Sequence, residues 1–395
     1  MLADVVPWLE LSLRWLHVVT GIAWIGASFY FVWLDGNIRK TEGGDPLVAG
    51  ELWAVHGGGF YHNQKYLVAP ERLPPHLHWF KYEAYFTWIS GFLLLAAIYY
   101  LGANVFLIDK AKLALSVPEA IGISLAFLAG GWIVYDGLCR SPLGKDPPVF
   151  GTLWFLILVA AAYALTRIFS DRAAFLHVGA IVGTAMVANV FFVIIPNQKK
   201  VVAAMLAGET PDPRLGLQAK QRSLHNNYMT LPVVLLMISN HYPMLFGSRI
   251  NWLLLPGLSA CGVIVRHFFN LRHKEKISYS LAAGAVVVFV FTMLIANDVA
   301  RRAEGAAPAA VPFATARALI DHHCIMCHSA APVHPGITAP PAGLDFTKND
   351  VVHANAQRIL VQVTSRAMPL GNETGMTDAD RAALGAWIRE GAPIR

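Results

Sequence analysis

VFGTLWFLILVAAAYALTRIF, residues 149–169, is a long apolar run with a single charge, Arg167. A stretch of about 20 apolar residues is what an α-helix needs to cross the hydrocarbon core of a bilayer. Lipid offers no partner to a free backbone N–H or C=O, so such a segment crosses as a helix. Seven other stretches read the same way, roughly 11–34, 83–107, 117–138, 173–196, 225–246, 250–270 and 277–297. The spans at 117–138 and 250–270 carry a flaw each, because Asp136 and Arg266 fall near their ends. The chain start, MLADVVPWLELSLRW, has no basic segment ahead of its apolar run and no clear cleavage site. The first run is therefore read as a spanning helix and not as a signal peptide.

Composition agrees. The chain of 395 residues is 55% hydrophobic and only 14% charged, against about 25% charged in soluble domains. The net charge of +6 does not point to nucleic acid, because the basic residues cluster between apolar runs. Loops after the first, third, fifth and seventh spans hold fifteen Lys and Arg, against six on the opposite side. The basic side faces the cytoplasm, so both termini are expected outside the bacterial inner membrane. No repeat of 20–50 residues is visible. Of the four cysteines, Cys139 and Cys261 lie alone in apolar surroundings and read as small core residues.

The other two sit in FATARALIDHHCIMCHSAAP, residues 313–332. Cys324, Cys327 and His328 have the CxxCH spacing that attaches a c-type haem. His328 would be one axial ligand of the iron. SRAMPLGN, residues 365–372, offers Met368 as the other, and Met/His ligation raises the reduction potential. Met326 and Met376 are poorer ligands; a zinc site or an accidental motif is the alternative. Helices are expected over 313–324, near 353–365, and from Thr377, where Thr377 and Asp380 form a helix-start signature. The tail is too short for a robust core unless an apolar cofactor completes it. RRAEGAAPAAVP, residues 301–312, reads as a tether. The expected plan is all-α: a polytopic membrane bundle of about eight transmembrane helices over 1–300, a linker over 301–312, and a class I cytochrome c domain over 313–395. The membrane position of the last span agrees with a tail outside the cytoplasm, where covalent haem attachment is completed.

Ionisable residues inside spans are costly and mark function. In LRWLHVVTGIAWIGASFYFVWLD, residues 13–35, helical spacing puts Arg14, His17, Gly21, Trp24 and Ser28 on one face, which should point into the bundle. His17 and His177 both fall near the outer surface. One reading is a buried haem b between them; the other is a hydrogen bond from each to a neighbouring helix. The inner loop over 51–86, ELWAVHGGGFYHNQKYLVAPERLPPHLHWFKYEAYF, is too aromatic for a simple connection. It is expected to fold back as a lid or dip into the bundle, unless it is an amphipathic surface loop. His56, His62, Lys65 and Tyr66 there are candidates to hold a planar anionic substrate, by aromatic stacking and cationic edge contacts. RSLHNNYMTLP, residues 222–232, approaches from the same side and adds His225 as a candidate base, with Pro232 expected to bend the helix.

Four stretches carry a family resemblance: RWLHVVTGIAWIGASFYFVWLD (14–35), ELWAVHGGGFYHNQKYLVAPERLP (51–74), HVGAIVGTAMVANVFFVIIPNQ (177–198) and HNNYMTLPVVLLMISNHYP (225–243). Followed by CxxCH, they resemble the bacterial membrane-integral urate oxidases (urate hydroxylases) fused to cytochrome c. The resemblance covers essentially the whole chain. It implies oxidation of urate to 5-hydroxyisourate in purine breakdown. Electrons would pass to the fused haem c, then to a soluble or membrane cytochrome c or a terminal oxidase, with no hydrogen peroxide formed. Composition and spacing alone indicate only a membrane redox protein. A terminal oxidase would need clustered intramembrane His, which are scattered here. A carrier that oxidises quinol or another donor, and a membrane-anchored cytochrome that only relays electrons, remain as alternatives.

Geometry sets one demand on any of these. A substrate at the inner loop lies across about 30 Å of hydrocarbon from the tail. Either a buried haem relays electrons, or the substrate cavity reaches the outer face.

Overall fold

The computed structural model describes residues 2–248, 250–304, 310–334 and 337–394; the expected linker at 301–312 lies partly outside them. The described chain is mostly helical, 69% helix and 5% strand. Helix α1 (Leu2–Asn37) leads into a hairpin of β1 (Val48–His56) and β2 (Gly59–Tyr66), then α2 (Tyr82–Leu95). There follow α3 (Val117–Arg140), α4 (Pro147–Ile168), α5 (Asp171–Ala188), α6 (Ile195–Leu206) and α7 (Pro213–Ile238). The bundle ends with the short α8 (Pro243–Phe246), α9 (Asn251–Arg272) and α10 (Tyr279–Glu304). The tail carries α11 (Phe313–His323), α12 (Asn349–Ala354), α13 (Ala356–Thr364) and α14 (Asp378–Arg389).

Local sequence explains the helix starts. Ser116 and Glu119 close a capping box on α3, with Pro118 in its first turn. Asp146 caps α4 by accepting from Val149 N at 3.1 Å, and Ser170 caps α5 by accepting from Ala173 N at 3.3 Å. Asp212 caps α7 ahead of Pro213. The expected Thr377–Asp380 signature opens α14 as a full capping box.

Among the described residues six helices are long and apolar enough to cross a membrane: Trp8–Asn37, Val117–Arg140, Pro147–Ile168, Asp171–Leu206, Asn251–Arg272 and Tyr279–Asn297. The sequence reading expected eight. The stretch 83–107 is not one regular helix: α2 stops at Leu95 and passes into π-helical turns at Ala96–Tyr100 and Ala103–Leu107. The stretch 225–246 is divided too, because α7 begins at Pro213 in polar sequence and ends at Ile238, before a 3₁₀ turn and α8. Pro232 sits inside α7, which runs on past it.

The all-α expectation needs one correction. Residues 48–66 are an antiparallel hairpin, in the loop that was expected to act as a lid or dip into the bundle. Trp53 pairs with His62 and His56 with Gly59, around Gly57 and Gly58, whose φ angles are both positive (58° and 80°). Successive positive φ values are what a tight right-twisted hairpin turn needs, and glycine adopts them without a Cβ clash. The hairpin stands at the end of the bundle opposite the tail, tied to α1 by Lys65 and Asp35 at 2.5 Å. Its Trp53, Val55 and Phe60 side chains are exposed.

The bundle core lies around α3, α4 and α5, where Tyr135, Ala162, Leu165, Phe169, Ala173 and Val178 are fully buried. Gly179 lets α5 approach α7, since a Cβ there would lie 3.0 Å from Leu236 Cβ. A separate tail core holds Ala316, Ile320, Leu384 and Trp387, all fully buried. The tail is seated on the end of the bundle away from the hairpin. Gly247, after α8, meets the Ser365 carbonyl so closely that any Cβ would collide with it.

A cavity between the CxxCH motif and the bundle

The helix α11 ends at His323, so the chain turns over Cys324–Cys327, and Cys327 N and His328 N both bond back to Cys324 O (3.2 and 2.8 Å). This turn places Cys324, Cys327 and His328 on one wall of a cavity of about 380 Å³. Met368, Phe346, Leu344 and Met376 line the same cavity. His328 stacks on Phe346 with ring centroids 4.6 Å apart, and its Nδ1 donates to Leu344 O at 3.2 Å. That bond fixes the tautomer and leaves the Nε2 lone pair free for a ligand role. Burial holds the His328 pKa below its ordinary value, which favours the neutral ring. Burial also pushes the Cys324 thiol up to about 12 and the Cys327 thiol upward. Both cysteines are free thiols. Among the described residues no three His, Cys, Asp or Glu side chains converge to hold a bare metal ion. One imidazole, one thioether and two thiols around an apolar cavity form a donor set that fits a covalently attached haem. His334, also on this wall, is buried and paired with Glu373 at 2.8 Å, and its Nδ1 has no partner.

The facing wall comes from the bundle: Arg172, Asn240, His241, Pro243 and Phe246. Arg172 sits in the first turn of α5, beside Asp171. Asp171 is already engaged by Lys112 (2.6 Å) and Asn251 (2.7 Å). Among the described residues Arg172 Nε and Asn240 Oδ1 are both buried without a hydrogen-bond partner. The Tyr99 hydroxyl lies beside both. The sequence analysis assigns neither Arg172 nor Asn240 to a site; Arg172 enters it only as a basic loop residue. Their position at the tail-facing ends of neighbouring helices was the available signal, but nothing local distinguished them from other loop polar groups.

The remaining sequence candidates fall in separate places. His56 is exposed at the hairpin tip. His62 pairs with Glu51 at 2.7 Å and stacks on Trp53 at 4.3 Å. Lys65 is taken by Asp35. Glu51 itself accepts from Thr41, Gln64 and His62, and these bonds hold its pKa down. His225, on α7, stacks on Phe150 at 4.1 Å and bonds Tyr135 at 2.9 Å. No hydrogen bond or ring contact among the described residues joins His225 to the hairpin. His17 fits against Gly91 of α2, with Nδ1 2.9 Å from Thr87 O. His177 uses both ring nitrogens, Nε2 on Ser124 Oγ (2.7 Å) and Nδ1 on Ala173 O (2.7 Å).

Two polar clusters inside the bundle grew from the flaws noted in the spans. Asp136 pairs with buried Arg222 at 2.7 Å, and Arg222 donates to Asn189, which donates in turn to Tyr135 and Asn226. Asn189 opens a π-helical turn between α5 and α6, a distortion frequent at functional positions. Arg266 lies over the Phe29 ring at 4.0 Å and donates to Asn227, as does Asn270.

Nothing among the curated proteins or the solved structures compared matches the chain. The model of one family does match it, under the description "Urate oxidase N-terminal", over residues 3–297, three-quarters of the sequence. With the bundle and its tail-facing cavity in view, the chain belongs to the urate oxidase N-terminal family.

Proposed function

We propose that the protein oxidises urate to 5-hydroxyisourate and passes the electrons to a haem c on its own tail. The overall change is the urate monoanion plus water giving neutral 5-hydroxyisourate, one proton and two electrons. Family membership supports the substrate. The observation that carries the electron acceptor is a single cavity lined by Cys324, Cys327, His328 and Met368. Bound there, haem c would supply a one-electron acceptor, held by thioether bonds at the two cysteines with His328 and Met368 as axial ligands. The chain's own part is to orient His328 through Leu344 and to close the cavity with apolar side chains.

The membrane-length helices support a multi-pass protein of a bacterial inner membrane. The excess of basic residues on one side of the spans favours termini and tail on the periplasmic side. A soluble or membrane cytochrome c, or a terminal oxidase, would then receive the electrons, and no peroxide would form. A second haem between His17 and His177 is not included, because both His177 nitrogens are already hydrogen-bonded. The alternative reading is a carrier that oxidises quinol or another donor.

The test adds urate to oxidised, haem-loaded full-length protein under anaerobic conditions and follows the haem c bands. Reduction of two haem c equivalents per urate is expected. Reduction by quinol alone, with none by urate, would replace the reading by the alternative. Replacing Cys324 and Cys327 by Ser should abolish urate-driven electron transfer.

A further inference from the structure

The cavity's second wall carries two buried polar atoms with no hydrogen-bond partner among the described residues. Arg172 Nε is the donor of the two and Asn240 Oδ1 the acceptor. Buried polar groups in native structures are nearly all paired, because an unmet one costs its full desolvation. Among the described residues no carboxylate pairs with Arg172 either: adjacent Asp171 is committed to Lys112 and Asn251. Both residues line the cavity that the CxxCH motif lines from the other side.

We propose that Arg172 and Asn240 form the substrate site, holding an anionic, planar, N–H-bearing purine on the bundle wall opposite Cys324, Cys327 and His328. The assignment rests on the urate reading above. Urate at neutral pH is a monoanion whose rim alternates carbonyl oxygens with ring N–H groups. A rim oxygen accepts from the guanidinium, whose flat fork suits a planar anion. A ring N–H donates to Asn240 Oδ1. An ionised haem carboxylate could satisfy Arg172 but has no proton for Asn240. Tyr99, almost fully buried, interacts through its hydroxyl with both side chains and holds them in place.

The location also meets the demand that distance imposes. Electron tunnelling falls exponentially with separation, so a purine on this wall needs no redox centre between it and the tail. The rival cationic cluster, around Arg266, is less well placed. Arg266 lies fifteen residues beyond Asn251 on α9, about 22 Å further towards the hairpin end at about 1.5 Å per residue.

The experiment uses full-length, haem-loaded protein kept reduced by ascorbate without oxygen, so that bound urate cannot be consumed. Equilibrium dialysis with isotope-labelled urate reads the affinity, and the haem spectrum and potential are recorded on the same samples. R172M and N240A should each weaken urate binding at least tenfold, and R172K should recover part of the loss. Haem content and potential should stay at the wild-type values. Unchanged affinity in R172M and N240A overturns the assignment. A shifted potential with unchanged affinity in R172M also overturns it and gives Arg172 to a haem carboxylate. Loss of binding in R266M with none in R172M moves the site to the hairpin end. If wild-type protein neither binds urate nor is reduced by it, the urate reading itself fails, and this assignment with it.

Discussion

The buried guanidinium of Arg381 donates to the carbonyl of Met368 at 2.7 Å. The same side chain donates to Val363 O at 2.8 Å and Asn372 Oδ1 at 3.1 Å. One residue of α14 thus gathers the end of α13 and both sides of the loop that carries the proposed axial Met. Arg381 never touches the cavity; it positions a residue that does. With haem c bound as proposed, Arg381→Met should leave its covalent attachment in place and loosen Met368. The sulfur-to-iron charge-transfer band of the oxidised haem should weaken and the reduction potential fall. An intact band in this variant would show that Met368 is held by other contacts.

Docking of the tail depends on Gly247. A Cβ at this position would strike the backbone of Ser365, which is not a flexible side chain that can swing away. Gly247→Ala should therefore push the tail off the bundle wall while each part keeps its own core. Haem incorporation should be normal, reduction by ascorbate normal, and reduction by urate slowed at least tenfold. Normal urate-driven reduction would mean that the two walls of the cavity need not face each other during turnover.

Much of this was legible in the sequence. Apolar length alone marked the membrane helices, because nothing but a helix satisfies a backbone in lipid. The CxxCH spacing, Met368 and the Thr377–Asp380 start were local signals, and the structure gathers the first two on one cavity. The β1–β2 hairpin was missed because its aromatic and His residues drew attention as chemistry. The stronger signal was two glycines between β-prone runs. Arg172, Asn240, Asn189 and Arg381 were invisible for a different reason. Asn189 acquires its role from partners 33 or more residues away, Arg172 and Asn240 from the cavity they share with the tail, and Arg381 from loop groups 9 to 18 residues away, and no local pattern records that. Asp136 and Arg266 were visible only as blemishes in apolar spans. The structure makes them members of buried polar clusters, which is how such costly residues survive there.

The start of α14 should make tail stability depend on acid. Asp380 accepts from the Thr377 hydroxyl at 2.6 Å and the Thr377 N–H at 2.8 Å, and these bonds hold its pKa below the ordinary carboxylate value. The folded pKa lies below the unfolded value of about 3.9. The stabilisation is therefore complete above that value and is lost as pH falls through the folded pKa. Asp380→Ala should cost about 1 kcal/mol at neutral pH. The gap from wild type should narrow below about pH 4. Thermal unfolding of full-length protein, followed at the haem bands across pH, measures it; a gap independent of pH would exclude the carboxylate as its source.

The pair Asp136–Arg222 tests whether the inner cluster is built for stability or only tolerated. Arg222 is almost wholly buried, with 5% of its side chain exposed, and Asp136 is its carboxylate partner at 2.7 Å. Asn189 takes a second guanidinium N–H at 3.0 Å, and the Tyr135 ring lies 5.4 Å from the guanidinium carbon. Two ions in a low-dielectric interior repay their desolvation only together, and removing one strands the other. Asp136→Leu should therefore destabilise the bundle by about 3–5 kcal/mol, and Arg222→Met should do the same if Asp136 stays ionised. The double variant should lie closer to wild type than either single variant, because it leaves no stranded charge. Denaturation in mixed micelles, read as a double-mutant cycle, gives the coupling directly. Additive losses would show that the two residues act through separate partners: Arg140, 2.6 Å from Asp136, and Asn189 beside Arg222.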